Sequence, residues 1–268
     1  MPRQWPSVLS DFSSQKIRQI IHLSEVSVDS SDRREWARDP VNWTVSMLQG
    51  FDLNKLVIMI VPLLFAVTFH EVAHGWVAYR LGDPTAKWSG RLTLNPIKHL
   101  DPMGSFILPL MLFFFRSPII FGYAKPVPVN FNNLANRRRD MILVAAAGPG
   151  TNMLCAFLSG LLFTLLIRLS PWWGKSFFSG VFIDLAGMLE YSVVINVILA
   201  LFNLIPIPPL DGGRILTGIL PPAQAAQLAR LERFGIIIVL FLLLTHSLDW
   251  IFVPVLKLFL RLFLGGAI

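Results

Sequence analysis

Two histidines and a glutamate stand in the middle of an apolar stretch, AVTFHEVAHGWVAYR, over residues 66–80. Residues four apart on a helix share a face, with Cβ atoms about 5–6 Å apart. His70 and His74 can therefore turn both imidazoles towards one metal ion, and bonds of roughly 2.0–2.1 Å suit zinc. Glu71 directly follows the first histidine and points beside such an ion rather than at it. There it can take a proton from an activated water, the part a glutamate has in an H-E-x-x-H helix. Ionisable side chains are costly inside a bilayer, so three of them in such a segment call for a function. Gly75 leaves open helix surface next to His74, where another backbone or a substrate can approach closely.

Two histidines do not complete a catalytic zinc site. The acids and histidines within or beside apolar segments are Asp184, Glu190, Asp211, Asp249, His99 and His246. Asp184 and Glu190 fall near the far end of their segment, Asp249 and His246 near a helix end, and His99 in a polar loop. Asp211 lies in FNLIPIPPLDGGR, where Pro206, Pro208 and Pro209 forbid a regular helix and Gly212 and Gly213 permit unusual dihedrals. Irregular backbone at membrane depth persists only when buried in protein or lining a wet cavity. A carboxylate on such a bend can reach the histidine helix, and Asp211 is the expected third ligand. Asn152, in AAAGPGTNMLCA, and Asn203 are amides in apolar surroundings. Either can donate to a developing oxyanion or to a substrate backbone, or serve as a bond between helices. Gly148-Pro149-Gly150 should kink or thin its helix near Asn152 and leave room beside the site.

The elements that must position these residues are membrane helices. The chain has 268 residues, 54% hydrophobic and only 15% charged, with a mean hydropathy of +0.61. A soluble domain carries about 25% charged residues, so an all-α polytopic membrane protein is expected. The net charge of +7 sits between apolar runs, which suits lipid headgroups rather than nucleic acid. The single cysteine, Cys155, excludes an internal disulfide and reads as a small packing residue. Residues 1–50 form a polar tail with an amphipathic helix possible over 12–26, and no secretory signal is visible. Residues 51–268 form the membrane-embedded domain. Its three core helices fall near 55–80, 141–167 and 185–205, with one or two more over 234–248 and 250–264. The run 104–121 is broken by Pro109, Arg116 and Pro118 and flanked on both sides by basic loops. A re-entrant or hairpin-like segment keeps both loops on one side, and positive loops prefer the cytoplasm.

The constellation resembles the site-2 protease family of intramembrane zinc metalloproteases. The matching pieces are HEVAH at 70–74, AGPGTN at 147–152 and NLIPIPPLDGG at 203–213. SGRLTLNPIKHLDPMGS at 89–105 and FGYAKPVPVN at 121–130 resemble its compact bacterial branch, which has no inserted PDZ domain. The resemblance implies one Zn2+ per chain held by His70, His74 and Asp211, Glu71 as catalytic base and Asn152 as a helper near the site. It also implies a transmembrane protein as substrate, a bacterial cell membrane as location and an active site facing the cytoplasm. A metal-ion transporter using the same three ligands is the alternative. Glu71 distinguishes the two, because transit needs ligands whereas hydrolysis needs a base that is not one.

Overall fold

The computed structural model of the protein describes residues 53–115, 122–173 and 177–265. The polar tail over 1–50, with its possible helix at 12–26, lies outside the described residues. Helix α1 spans Leu53–Arg80 and is followed by the single turn α2, Thr85–Trp88. A π-helical turn, Pro102–Ile107, runs into α3, Leu108–Phe114. The long helix α4 spans Arg137–Arg168, the short α5 Ser170–Trp173, and α6 Ser179–Asn203. The chain ends in four shorter helices: α7, Asp211–Ile219; α8, Pro222–Arg230; α9, Glu232–Leu244; and α10, Asp249–Leu264.

Among the described residues three helices are long and apolar enough to cross a membrane: Leu56–Arg80, Arg137–Arg168 and Ser179–Asn203, with mean hydropathies of 2.2, 1.8 and 2.0. Lipid offers no partners to backbone amides, so segments of this composition must satisfy them internally, as helices do. α9 and α10 pass the same test only together and meet at 81°, so they make at most one further, broken span. No β-strand occurs among the described residues. The stretch anticipated as re-entrant is the π turn and α3, and the chain on either side, 91–95 and 122–130, has no regular secondary structure. Residues 116–121, with Arg116 and Pro118, lie outside the described residues.

α1, α4 and α6 pack on one another, and α7 closes against α4. The interior joins Ala156 and Phe163 of α4, Ala186, Val193, Val194 and Val197 of α6, and Leu260 and Leu264 of α10. Much of the remaining apolar surface faces outward, Leu161, Val181 and Ile237 among it. In water this would be an aggregation surface; in a bilayer it is the lipid face. A second cluster, Ala78, Leu134 and Val144, fastens the chain before α4 to the end of α1. Buried polar side chains are the exception in this bundle, and His70, His74, Asn152 and Asn196 of the three spans are among them.

Candidate metal centre

His70 and His74 occupy successive turns of α1 and turn the same way, their rings edge to face with centroids 4.6 Å apart. α4 makes room for them at Gly148. A Cβ there would lie 2.4 Å from His74 Nε2 and 2.6 Å from His70 Cε1, so only glycine fits. Asp211, the first residue of α7, joins them. Its approach depends on Gly212 and Gly213, where a Cβ would stand 2.2 Å from the Leu204 carbonyl oxygen and 2.2 Å from Pro208 N. The Pro-rich bend thus folds tightly under the start of α7 and carries the carboxylate to the histidines.

The hydrogen bonds decide what these groups can do. His70 Nδ1 lies 2.6 Å from Asn152 Oδ1, and Asn152 Nδ2 donates to Ala66 O and to Asn196 Oδ1 at 3.1 and 2.8 Å. The asparagine oxygen is therefore the acceptor, and His70 Nδ1 carries the proton. His74 Nδ1 lies 2.7 Å from the carbonyl oxygen of Val144, which can only accept, so its proton is also on Nδ1. Both Nε2 lone pairs are left free, and such a partner on the second ring nitrogen is how proteins fix a ligating tautomer. The two Nε2 atoms stand 3.0 Å apart, each 3.2 Å from Asp211 Oδ2, which is buried and has no hydrogen-bond partner among the described residues. An aspartate carboxyl is ordinarily ionised at neutral pH, so Asp211 brings a negative charge to face the two Nε2 lone pairs.

Three buried donors without a proton among them therefore converge on one point. Left alone they would repel; around a cation they attract. Ligands bound tetrahedrally at zinc distances sit about 3.3 Å apart, and 3.0 to 3.2 Å between these atoms fits that triangle. Among the described residues these are the only three of His, Cys, Asp or Glu placed to share a metal ion. A model of peptidase family M50 matches residues 58–246. The chain belongs to that family.

This M50 peptidase is 36% identical over 207 residues to YwhC of Bacillus subtilis (strain 168), a protein named as a candidate zinc metalloprotease, with 77% of this chain and 89% of that one covered. It is also 31% identical over 204 residues to Rip2 of Mycolicibacterium smegmatis, covering 75% and 72%, and 26% identical over 189 residues to MJ0611 of Methanocaldococcus jannaschii, covering 67% and 83%. Both carry the same kind of name. No solved structure matches the chain with significance. The family and the triad together make the protein a membrane zinc metallopeptidase.

Glu71 lies outside the triad. Its Oε2 accepts the backbone N–H of Val127 at 2.8 Å, and its other oxygen has no bond to the ligands. Asn152 is buried behind His70, with its amide committed to Ala66 and Asn196. Among the described residues Asn203 bonds back to the Leu199 carbonyl of its own helix, at 2.9 Å. The other acids and histidines take no part in the triad: Asp184 accepts from Asn54, Asp249 pairs with His246, and His99 bonds to Thr93 O. Sequence reasoning overlooked Val144 O, Asn196 and Val127 N–H. Backbone groups leave no trace in residue identities, but Asn196, an amide amid VVINVILA, carried the signal that drew attention to Asn152.

Proposed function

We propose that this zinc metallopeptidase cuts peptide bonds within or beside transmembrane segments of other membrane proteins, as a step of regulated intramembrane proteolysis. The observation that carries the proposal is the convergence of three proton-free donors on one point inside a bundle of membrane-spanning helices, with a separate carboxylate beside them. His70 and His74 would hold the zinc through Nε2 and Asp211 through a carboxylate oxygen. Bound there, zinc supplies Lewis acidity that polarises a carbonyl and lowers the pKa of water to about 7.

The remaining work falls to the chain's own residues. Glu71 takes the proton of the attacking water on the oxygen that Val127 leaves free, and hands it to the departing amine nitrogen. Asn152 and Val144 O keep both imidazoles in the ligating tautomer throughout. The substrate must present a carbonyl that a helix would hide in an i→i−4 bond, so a substrate helix has to unwind locally, more easily near Gly or Pro. Residues 91–95 lie irregular beside Gly75, where a Cβ would meet Leu92 Cδ2 at 2.8 Å. Their backbone can add to an unwound substrate as a strand and offset that cost.

His74 and His70 lie six and ten residues before Arg80, or roughly 9 and 15 Å along the helix axis. The site therefore sits in the half of the bundle that ends in Arg80, Lys87, Arg91 and Arg137–Arg139. Basic loops stay in the cytoplasm, so the reading has the active site open to the cytoplasmic side of the cell membrane. A topology reporter fused after Arg91 that reports from outside would overturn that orientation. The function itself is tested by expressing wild type and Glu71→Gln and comparing membrane-protein fragments by mass spectrometry. Wild type should release fragments that Glu71→Gln, with zinc still bound, does not; identical patterns would refute the reading.

A further inference from the structure

Asp83 is fully buried in a loop beyond the end of α1 and is not one of the triad His70, His74 and Asp211. Its backbone N–H donates to Ala78 O at 2.9 Å, which fixes it to the last turn of the helix that carries Glu71. Its carboxylate receives four donors. Oδ1 accepts Thr85 N–H at 3.2 Å, Thr85 Oγ1 at 2.5 Å and Asn133 Nδ2 at 2.8 Å. Oδ2 accepts the backbone N–H of Asn130 at 2.7 Å. The first two bonds make an ordinary local turn. The last two reach across to a segment 47 and 50 residues further along the chain.

Asn133 lies in the turn Phe131–Asn133, and Asn130 ends the strap that precedes it, 122–130, whose Val127 N–H donates to Glu71. Its near end is pinned by Lys125 N–H to His99 O at 2.9 Å, by Tyr123 N–H to Gly104 O at 3.1 Å and by Ser105 Oγ to Tyr123 O at 3.0 Å. Its far end is pinned to Asp83. Between these anchors Val127 is buried against Gly75, one turn beyond Glu71, where a Cβ would meet Val127 Cγ1 at 2.7 Å. Val129 and Phe131 also pack on the cluster of Ala78, Leu134 and Val144. Apolar contact is non-directional and sets depth; the charge-assisted bonds to Asp83 set where the backbone stops along α1.

We propose that Asp83 is a positioning residue for peptide hydrolysis: by holding Asn130 and Asn133 it registers the strap so that Val127 N–H meets Glu71 and aims its free oxygen at the site. This rests on Glu71 being the base of the proposed function. Asp83 touches neither metal nor substrate, and it acts on the position of a carboxylate, not on its charge. Misplacing a reacting group by about 1 Å costs about 10²-fold in rate, so kcat is the sensitive quantity.

The test uses full-length holoprotein in detergent, wild type and Asp83→Ala, with three readouts. Zinc per chain is measured by metal analysis, amide exchange by mass spectrometry of peptides covering Val127, and kcat and KM with fluorescently labelled casein as the unfolded probe. The expected result is zinc retained at one per chain, faster exchange at Val127, kcat lower by about 10²-fold and KM within about twofold. Unchanged exchange at Val127, unchanged kcat, or a loss of activity that tracks a loss of zinc would each overturn the inference. Should Asp83→Ala fail to fold, Asn133→Ala removes one of the cross-chain bonds, leaves the carboxylate and should move exchange and kcat the same way by a smaller factor; no movement in that variant overturns the inference equally. A wild type that binds zinc and protects Val127 yet cuts nothing would refute the proposed function instead.

Discussion

Gly148→Ala tests the proposed metal centre without altering any of the three residues that would hold the ion. The new Cβ would stand 2.4 Å from His74 Nε2 and 2.6 Å from His70 Cε1, where ordinary contact begins near 3.4 Å. About 1 Å of movement is needed. Neither ring can turn aside freely, because His70 Nδ1 is held by Asn152 and His74 Nδ1 by Val144 O, at 2.6 and 2.7 Å. Either the imidazoles leave the triangle with Asp211 or α4 is pushed off α1. Metal–ligand distances tolerate about 0.2 Å, and loss of a supporting hydrogen bond alone costs 10- to 100-fold in metal affinity. Displacing ligands by several times that tolerance should cost about 10²-fold or more. Competition with a zinc-binding dye measures it. Gly150→Ala is the matched control: the same helix and substitution, but with nothing within 4 Å of the new Cβ. The variant at 150 should hold zinc as wild type does. Equal affinities for all three proteins would refute the placement of α4 against the histidines.

Other expectations follow from the same contacts. Asn152→Ala removes the acceptor that keeps the His70 proton on Nδ1, so zinc affinity should fall about 10- to 100-fold by dye competition, with Asn196→Ala giving a smaller fall. Gly235→Ala would set a Cβ 1.6 Å from Pro208 O and push the bend that delivers Asp211. Overpacking of this kind costs about 1–3 kcal/mol, so a lower thermal midpoint and reduced zinc content are both expected. Burial alone would push the Asp83 carboxyl up, but its donors from Thr85, Asn133 and Asn130 hold it below the ordinary value. A depressed carboxylate stabilises the fold above its unfolded pKa of about 3.9 and loses that effect as pH falls through its folded value. The difference in thermal midpoint between wild type and Asp83→Asn should therefore be full near neutrality and shrink below about pH 4.

The chemistry was more legible in the residues than the architecture around it. His70, Glu71 and His74 stand out as candidates because ionisable groups are conspicuous in a run of valine, alanine and phenylalanine. Asp211 could be singled out because prolines and glycines beside it rule out a plain helix. The three spans could be read from apolar length alone, though each begins a few residues earlier than expected, so that Arg137–Arg139 and Asp184 fall inside the helices. Pattern could not reveal that Gly148 clears the space for both imidazoles, since a glycine beside a proline reads first as a kink. Nor could it pair Asp83 with Asn130, a contact made by a backbone amide. The same holds for Val127, an unremarkable apolar residue whose side chain packs while its amide serves the acid. The angle between α9 and α10 was equally hidden, because length and hydropathy say nothing of how two apolar segments meet.

The alternation of prolines in Lys125-Pro126-Val127-Pro128 has a consequence for any polypeptide that lies along it. Pro126 and Pro128 have no amide hydrogen, and those of Lys125 and Val127 are spent on His99 O and Glu71. What the backbone of this stretch can still offer a visitor is carbonyl oxygen alone. A guest strand could give hydrogen bonds here and receive none, so two copies of the enzyme gain little by zipping together along this rim.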